Sequence, residues 1–321
     1  MSTNERGRRG VGLFGAAISL VAVAAVVIWA LSQPPPQLPS GTGLLLFGGA
    51  IALYAVDMVV RGERWRALLL ASGPAPSHGD CIGLSVVGTA GNNVLPARGG
   101  DGLRAYYCSK LSGATFREAI GSLVAERLLD VGVLVGLYAI VSYGLLAGIE
   151  VPEAETQLII TAVAVGALAV VGAAWVLRRS ERARRLARAA APMVRATRAL
   201  RGTHGVRMSA VSILIWLGDA IVFLLCAQAV GFEITVFEAL YLLGLAGVFV
   251  LIPSGPGFAG TFYAAVLFGA AALGASNQLA LSFLITLRLA VFVPITVVGL
   301  GAFLLRYMRL GDPRRVAKVT A

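Results

Sequence analysis

Long unbroken apolar runs dominate this chain, in place of a strand's alternation or a soluble helix's one-sided stripe. They fall near 11–31, 42–60, 118–147, 157–177, 208–230 and 277–305. A helix needs about 20 apolar residues to cross about 30 Å of hydrocarbon. The pattern therefore predicts an all-α integral membrane protein with about six full transmembrane helices. The first run is expected to be a retained span, because it ends in PPPQLPS without a cleavage site of the A-x-A kind.

Two further runs, 80–95 and 236–252, are shorter and end in breaks rich in Pro and Gly. The first break is NNVLPARGGDGLR (Asn92–Arg104), interrupted at Asn92, Asn93 and Pro96; the second is LIPSGPGFAG (Leu251–Gly260), interrupted at Pro253. Short apolar segments, 103–112 and 261–273, follow them. Apolar stretches this short, stopped by Pro and Gly, suit re-entrant helical hairpins over 80–112 and 236–273; short kinked spans are the alternative.

Composition agrees and adds an orientation. The 321 residues are 58% hydrophobic and 13% charged, with a mean hydropathy of +0.83, which excludes a soluble enzyme. A net charge of +11 raises the question of nucleic acid, which its placement answers against. Of the 27 basic residues, 21 lie in four segments: the N-terminus, an expected loop after the second span (Arg61, Arg64 and Arg66), the 178–207 linker with ten arginines, and the tail from Arg306. The segments 32–41, 148–156 and 231–238 have none. The positive-inside rule then places both termini and the linker in the cytoplasm, and the expected location is a bacterial-type inner membrane. The linker is expected to lie on anionic inner-leaflet lipids as a basic helix, a solvated loop being the alternative for its second half. The expected organisation is a cytoplasmic N-terminus (1–10), a first membrane repeat (11–156), a second (157–305) and a cytoplasmic tail (306–321).

The two halves match in order. Asp57 pairs with Asp219, Gly73 with Gly231, Asp80 with Glu238, Pro96 with Pro253, Gly113 with Gly274, and Arg127 with Arg288. The expected orientation turns one half upside down relative to the other. An inverted repeat with broken helices near the midplane is a recurring transporter architecture.

The candidate chemistry follows from depth. Arg127 and Arg288 each fall about 15 Å into their helices, where a charge must face a polar interior. Glu126, Asp130 and Asp219 are also deep; with Asp101 they are expected to orient the arginines or carry a coupling proton. Static ion pairs that fix helix packing are the alternative. At the hairpin tips, Gly99, Gly100 and Gly102, and Gly255, Gly257 and Gly260, precede short helices. Such turns expose backbone N–H groups to an anion or serve as gates, or simply permit tight hairpins. Arg98 and Arg104 add charge beside the first tip. Arg98, Arg104, Arg127 and Arg288 are thus the expected contacts for a phosphate headgroup. Three cysteines and two histidines without metal-ligand spacing point to no metal, no cofactor and no catalytic residues.

NNVLPARGGDGLR, the Glu126-Arg127 pair and Asp130 resemble the signature of the lysylphosphatidylglycerol synthase transmembrane region. IPSGPGFAG followed by Arg288 resembles its second motif, and the similarity covers about residues 11–305. The resemblance implies a flippase-type domain that moves lipid between leaflets. The chain ends soon after its last apolar run, so the aminoacyl-transferase domain of the two-part synthases is expected to be absent. Asp101 stands where the family usually has Glu, and Thr261 and Phe262 stand where an acid often follows the second turn. The expected partner is a membrane phospholipid or polyprenyl-phosphate lipid, and oligomeric state is left open. An ion-coupled small-solute transporter and a non-catalytic partner of an envelope lipid or glycan synthase are the alternatives. A polyprenyl-phosphate-linked transferase is disfavoured by the lack of any nucleophile–base or metal spacing.

Overall fold

A computed structural model describes residues 31–71, 73–95, 98–140, 200–250, 257 and 260–308. The described residues are helical with no strand. In chain order they form α1 (Gly43–Leu70), α2 (His78–Val94), α3 (Gly99–Ser112), α4 (Phe116–Ile140), α5 (Gly202–Gln228), α6 (Val236–Val250), α7 (Thr261–Ala272) and α8 (Asn277–Tyr307). Three of these, α1, α5 and α8, are long and apolar enough to cross a membrane. The expected spans at 11–31 and 157–177, most of the basic linker, Pro96, Pro253 and Gly255 lie outside the described residues.

A single order of elements occurs twice: a long helix, two short helices packed against each other, and another long helix. The short pairs are α2 with α3 and α6 with α7, at the segments where Pro and Gly break the apolar pattern. Each opens on a cap. Ser77 Oγ accepts the N–H of Asp80 ahead of α2. Ahead of α6, Thr235 Oγ1 accepts from Glu238 N while the Glu238 carboxylate accepts from Thr235 N, a reciprocal capping box. Two acids that mark the internal match, Asp80 and Glu238, thus start the hairpins.

Glycine sets how closely these helices approach. A Cβ on Gly91 would lie 2.7 Å from Gly100 Cα, so α2 and α3 touch backbone to backbone. Likewise a Cβ on Gly62 of α1 would lie 2.6 Å from Ile82 Cα of α2. Without a hydrophobic force between helices in lipid, such close van der Waals contact holds them together.

Two long helices run antiparallel at the centre. Gly43 at the start of α1 abuts Ala229 just past the end of α5, while Arg64 near the end of α1 bonds Ser212 in α5. In the same way α8 runs antiparallel to α2, with Thr296 against Asn93 and Tyr307 against Gly83. Apolar side chains such as Leu45, Leu214, Val297 and Leu305 point outward, while Asp57, Arg64, Glu126 and Asp130 are buried. That inside-out distribution fits a lipid surround.

One expectation is corrected. Arg61, Arg64 and Arg66 do not follow the second span in a loop, because α1 continues through them to Leu70. Arg64 is 2% exposed. The helix persists because Arg61 and Arg64 find carboxylates on neighbouring helices and need no water.

Candidate functional site

The buried arginines are sorted by their partners. Arg64 from α1 makes a two-pronged contact with Asp130 of α4 at 2.6 and 3.2 Å, donates to Ser212 Oγ at 2.7 Å and approaches Glu126 at 3.4 Å. Arg104 from α3 grips Glu126 with two donors at 3.3 and 3.0 Å and lies 3.9 Å over the Trp65 ring. Arg127 reaches back to Asp101 at 3.2 Å and lies 3.8 Å from Asp130. Arg61 bonds Asp57 one turn before it and Asp219 of α5 at once. Glu126 and Asp130, whose i,i+4 spacing on one helix makes them repel, are therefore each answered by arginines from other helices.

A half-open cavity of about 380 Å³ lies among α1, α2, α4, α5, α6 and α8, a size typical of small-ligand sites. Its wall is mostly apolar, with side chains such as Leu134, Phe223, Leu243 and Val291. Into it come Arg98, Arg127, Arg288, Asp130, Asp219 and Asn93. Three candidate charges and an amide from the first half of the chain and its hairpin tip thus meet two charges from the second half. Arg104 does not line the cavity; it is 5% exposed and held by Glu126 and Trp65, which sets it apart from the expected headgroup contacts.

Arg288 differs from the other deep arginines. Its guanidinium lies 4.5 Å from the centroids of Phe262 and Tyr263 and 5.0 Å from that of Phe292. One donor reaches the Gly257 carbonyl at 3.0 Å, and the buried Nε has no hydrogen-bond partner. No carboxylate among the described residues lies within ion-pair distance of it. It opens a π-helical turn, Arg288–Phe292, two residues ahead of Pro294. Pro294 has no N–H to give to the preceding turn, and widening to a π turn absorbs that loss.

The hairpin tips use their glycines unevenly. Asn92 caps α3: its side-chain oxygen accepts from Asp101 N at 3.2 Å and its amide donates to the Asp101 carboxylate at 3.1 Å. It replaces the cap that Arg98 at the N-cap position cannot supply. Gly100 lies against the α2 backbone, whereas a Cβ on Gly102 would meet open space. Gly257, with φ of +65°, sits beside the Phe292 ring and the Asn93 carbonyl, so the second tip touches the first. At Gly257 a carbonyl, not an N–H, faces the arginine. Gly260 caps α7 with φ of +95°, and Gly99 packs on Leu95.

Sequence reasoning missed Asp57, Arg61 and Arg64 as parts of this interior. Asp57 appeared there only as a repeat match, and the two arginines as orientation signals. The available signal was spacing, since Asp57 and Arg61 are an i,i+4 pair at the end of an apolar run.

A multi-pass membrane protein, helical across its described residues and with charges gathered round an internal cavity, is the class these features define. Within it, the chain belongs to the lysylphosphatidylglycerol synthase transmembrane-region family, whose model matches residues 13–299. It is also similar to a protein named glycosyltransferase AglD from Haloferax volcanii, 31% identical over 131 residues. That match takes in 40% of this chain and 21% of the relative, so the chain spans about a fifth of the curated relative it matches. No solved structure matches it.

Proposed function

We propose that this protein moves an anionic, phosphate-containing lipid between the leaflets of a cell membrane, taking the headgroup into the cavity while the acyl chains stay in the bilayer. The observation that carries this reading is Arg288, a cation on the wall of a half-open apolar cavity with aromatic rings round it and no carboxylate in reach among the described residues. A buried cation without an anion is costly, and a phosphate ester supplies the missing charge with oxygens suited to guanidinium donors. Arg98 and Arg127 converge on the same space. The two hairpins, whose tips meet at Asn93 and Gly257, serve as gates to opposite faces in an inverted repeat. Support for the inversion comes from the antiparallel packing of α1 on α5, which brings the matched Asp57 and Asp219 to one guanidinium.

The test is reconstitution in liposomes carrying reporter lipids of different headgroups. Wild type is expected to move an anionic reporter, and Arg288→Gln to reduce the rate at least about tenfold, the loss of one charge-assisted contact. Equal rates in wild type and variant with every anionic lipid would overturn the reading. The likeness to a glycosyltransferase favours a second reading, in which the chain is the non-catalytic membrane partner of an envelope glycan or lipid synthase. In that case no reporter moves, and deletion lowers the activity of a co-purifying enzyme.

A further inference from the structure

Apart from the outlying pairs His78–Glu63 and Arg306–Asp80, the ion-paired side chains among the described residues fall into two groups of different charge. Arg64, Arg104 and Arg127 are linked with Asp101, Glu126 and Asp130, three cations with three anions. Arg61 is linked with Asp57 and Asp219, one cation with two anions. The second group therefore has a formal excess of one negative charge. Asp57 and Asp219 are 5% and 9% exposed. Asp57 lies 14 residues into the 28-residue α1, about 21 Å along it. A carboxylate with half a partner, held away from water, is expensive in its charged form, and two carboxylates on one site favour retention of a proton.

The surroundings do not cancel the excess. From α1, Tyr54 is near and neutral; from α4, Asp130 is already engaged by Arg64 and Arg127. Arg98, and Arg288 from α8, stand on the cavity wall, where an entering anion would compete for them. Asp219 lines that cavity and so has a path to water, while the Trp216 ring lies 5.5 Å from the Arg61 guanidinium and covers it.

We propose that Asp57 and Asp219 form a proton-binding site that opens onto the cavity through Asp219. A proton from cavity water forms an O–H bond on one carboxyl group, the other stays ionised against Arg61, and the proton leaves by the same route. Neither group needs a second cation in that state. An anion bound near Arg98, Arg127 and Arg288 removes positive potential from the pair and raises its proton affinity. Anion and proton therefore bind together, and by linkage each strengthens the other. This second statement rests on the transport reading, whereas the proton site does not.

Infrared spectroscopy of the full chain in phosphatidylcholine vesicles, titrated from about pH 5 to about pH 9, tests the site, since ordinary carboxyl groups are already ionised there. Wild type is expected to show a protonated-carboxyl band that moves on labelling with ¹³C-aspartate and disappears as pH rises. Asp57→Asn and Asp219→Asn each leave one carboxylate opposite Arg61, so both are expected to fold and to lack the band. Absence of any titrating aspartate band in wild type, a measurement that needs no variant, overturns the proposal. So does a band that persists in both variants. Adding phosphatidylglycerol to the vesicles is expected to move the midpoint to higher pH. An unmoved midpoint overturns the linkage and leaves the proton site standing. A protein that shows the band but moves no reporter lipid loses the transport reading alone.

Discussion

At the scale of single residues, the deep arginines differ in what depends on them. Arg64 is bonded to Asp130 and Ser212 and lies beside Glu126, with its side chain fully buried. Its removal strands part of two carboxylates, so Arg64→Met is expected to destabilise the protein by about 3–5 kcal/mol. Arg288 has ring contacts and a single carbonyl bond, and Arg288→Gln strands no acid. Its cost is expected to stay near the ~1–2 kcal/mol of a desolvated cation–π contact. Thermal unfolding in detergent checks the pair: the Arg64 variant melts well below the Arg288 variant. Equal melting temperatures would show that ion pairing does not separate the two. The difference matters for function, because a transport defect in Arg288→Gln then reads as a site effect and one in Arg64→Met does not.

At the scale of elements, the hairpins depend on glycine at contacts where no side chain fits. A methyl group on Gly91 would press on Gly100 Cα, backbone against backbone. Gly91→Val is therefore expected to force α2 from α3 and cost about 1–3 kcal/mol. Gly102→Ala, where a Cβ meets open space, is expected to cost nothing and to gain a little helix propensity. Protease sensitivity of the reconstituted protein distinguishes them. Both pairs of short helices were legible in the sequence, since Pro and Gly interrupt an apolar run, whereas the caps at Ser77 and Thr235 emerged only from the structure. The partners of Arg61 and Arg64 were not. An arginine at the end of an apolar run has the same local pattern whether it meets water or a buried acid. What decides is a carboxylate 66 residues away for Arg64 and 158 for Arg61, on helices that only packing brings near. The cavity charges were legible because Arg127, Asp130, Asp219 and Arg288 sit mid-run, where no pattern but an internal site accommodates them. Arg104 was read from its place beside the first tip, and Glu126 and Trp65 hold it away from the cavity.

At the scale of the whole molecule, the antiparallel pairing of α1 and α5 makes orientation testable with two probes. Glu233 lies beyond the end of α5, at the same end of the pair as Gly43. Gly79, at the start of α2, lies beyond the opposite end of α1 and has room for a side chain. The positive-inside pattern puts Glu233 outside and Gly79 inside. In intact cells, Glu233→Cys is expected to react with an impermeant thiol reagent and Gly79→Cys only after permeabilisation. Cys81, Cys108 and Cys226 are buried and give a quiet background. Labelling of the two sites in the opposite order would invert the expected orientation of the molecule.

Arg98 bears on how such a molecule is maintained. Its φ of 55° and ψ of 40° place a long side chain in the left-handed region, where it is the sole residue other than glycine among those described. That conformation costs about 1–2 kcal/mol for an ordinary L-residue and almost nothing for glycine. Arg98→Gly is thus expected to raise the melting temperature while removing a cavity charge and slowing lipid movement. Thermal melts and liposome rates on one preparation check whether the two move in opposite directions. Selection for durability alone would favour glycine at this turn, so under the transport reading arginine gives up fold stability for a charge on the cavity wall.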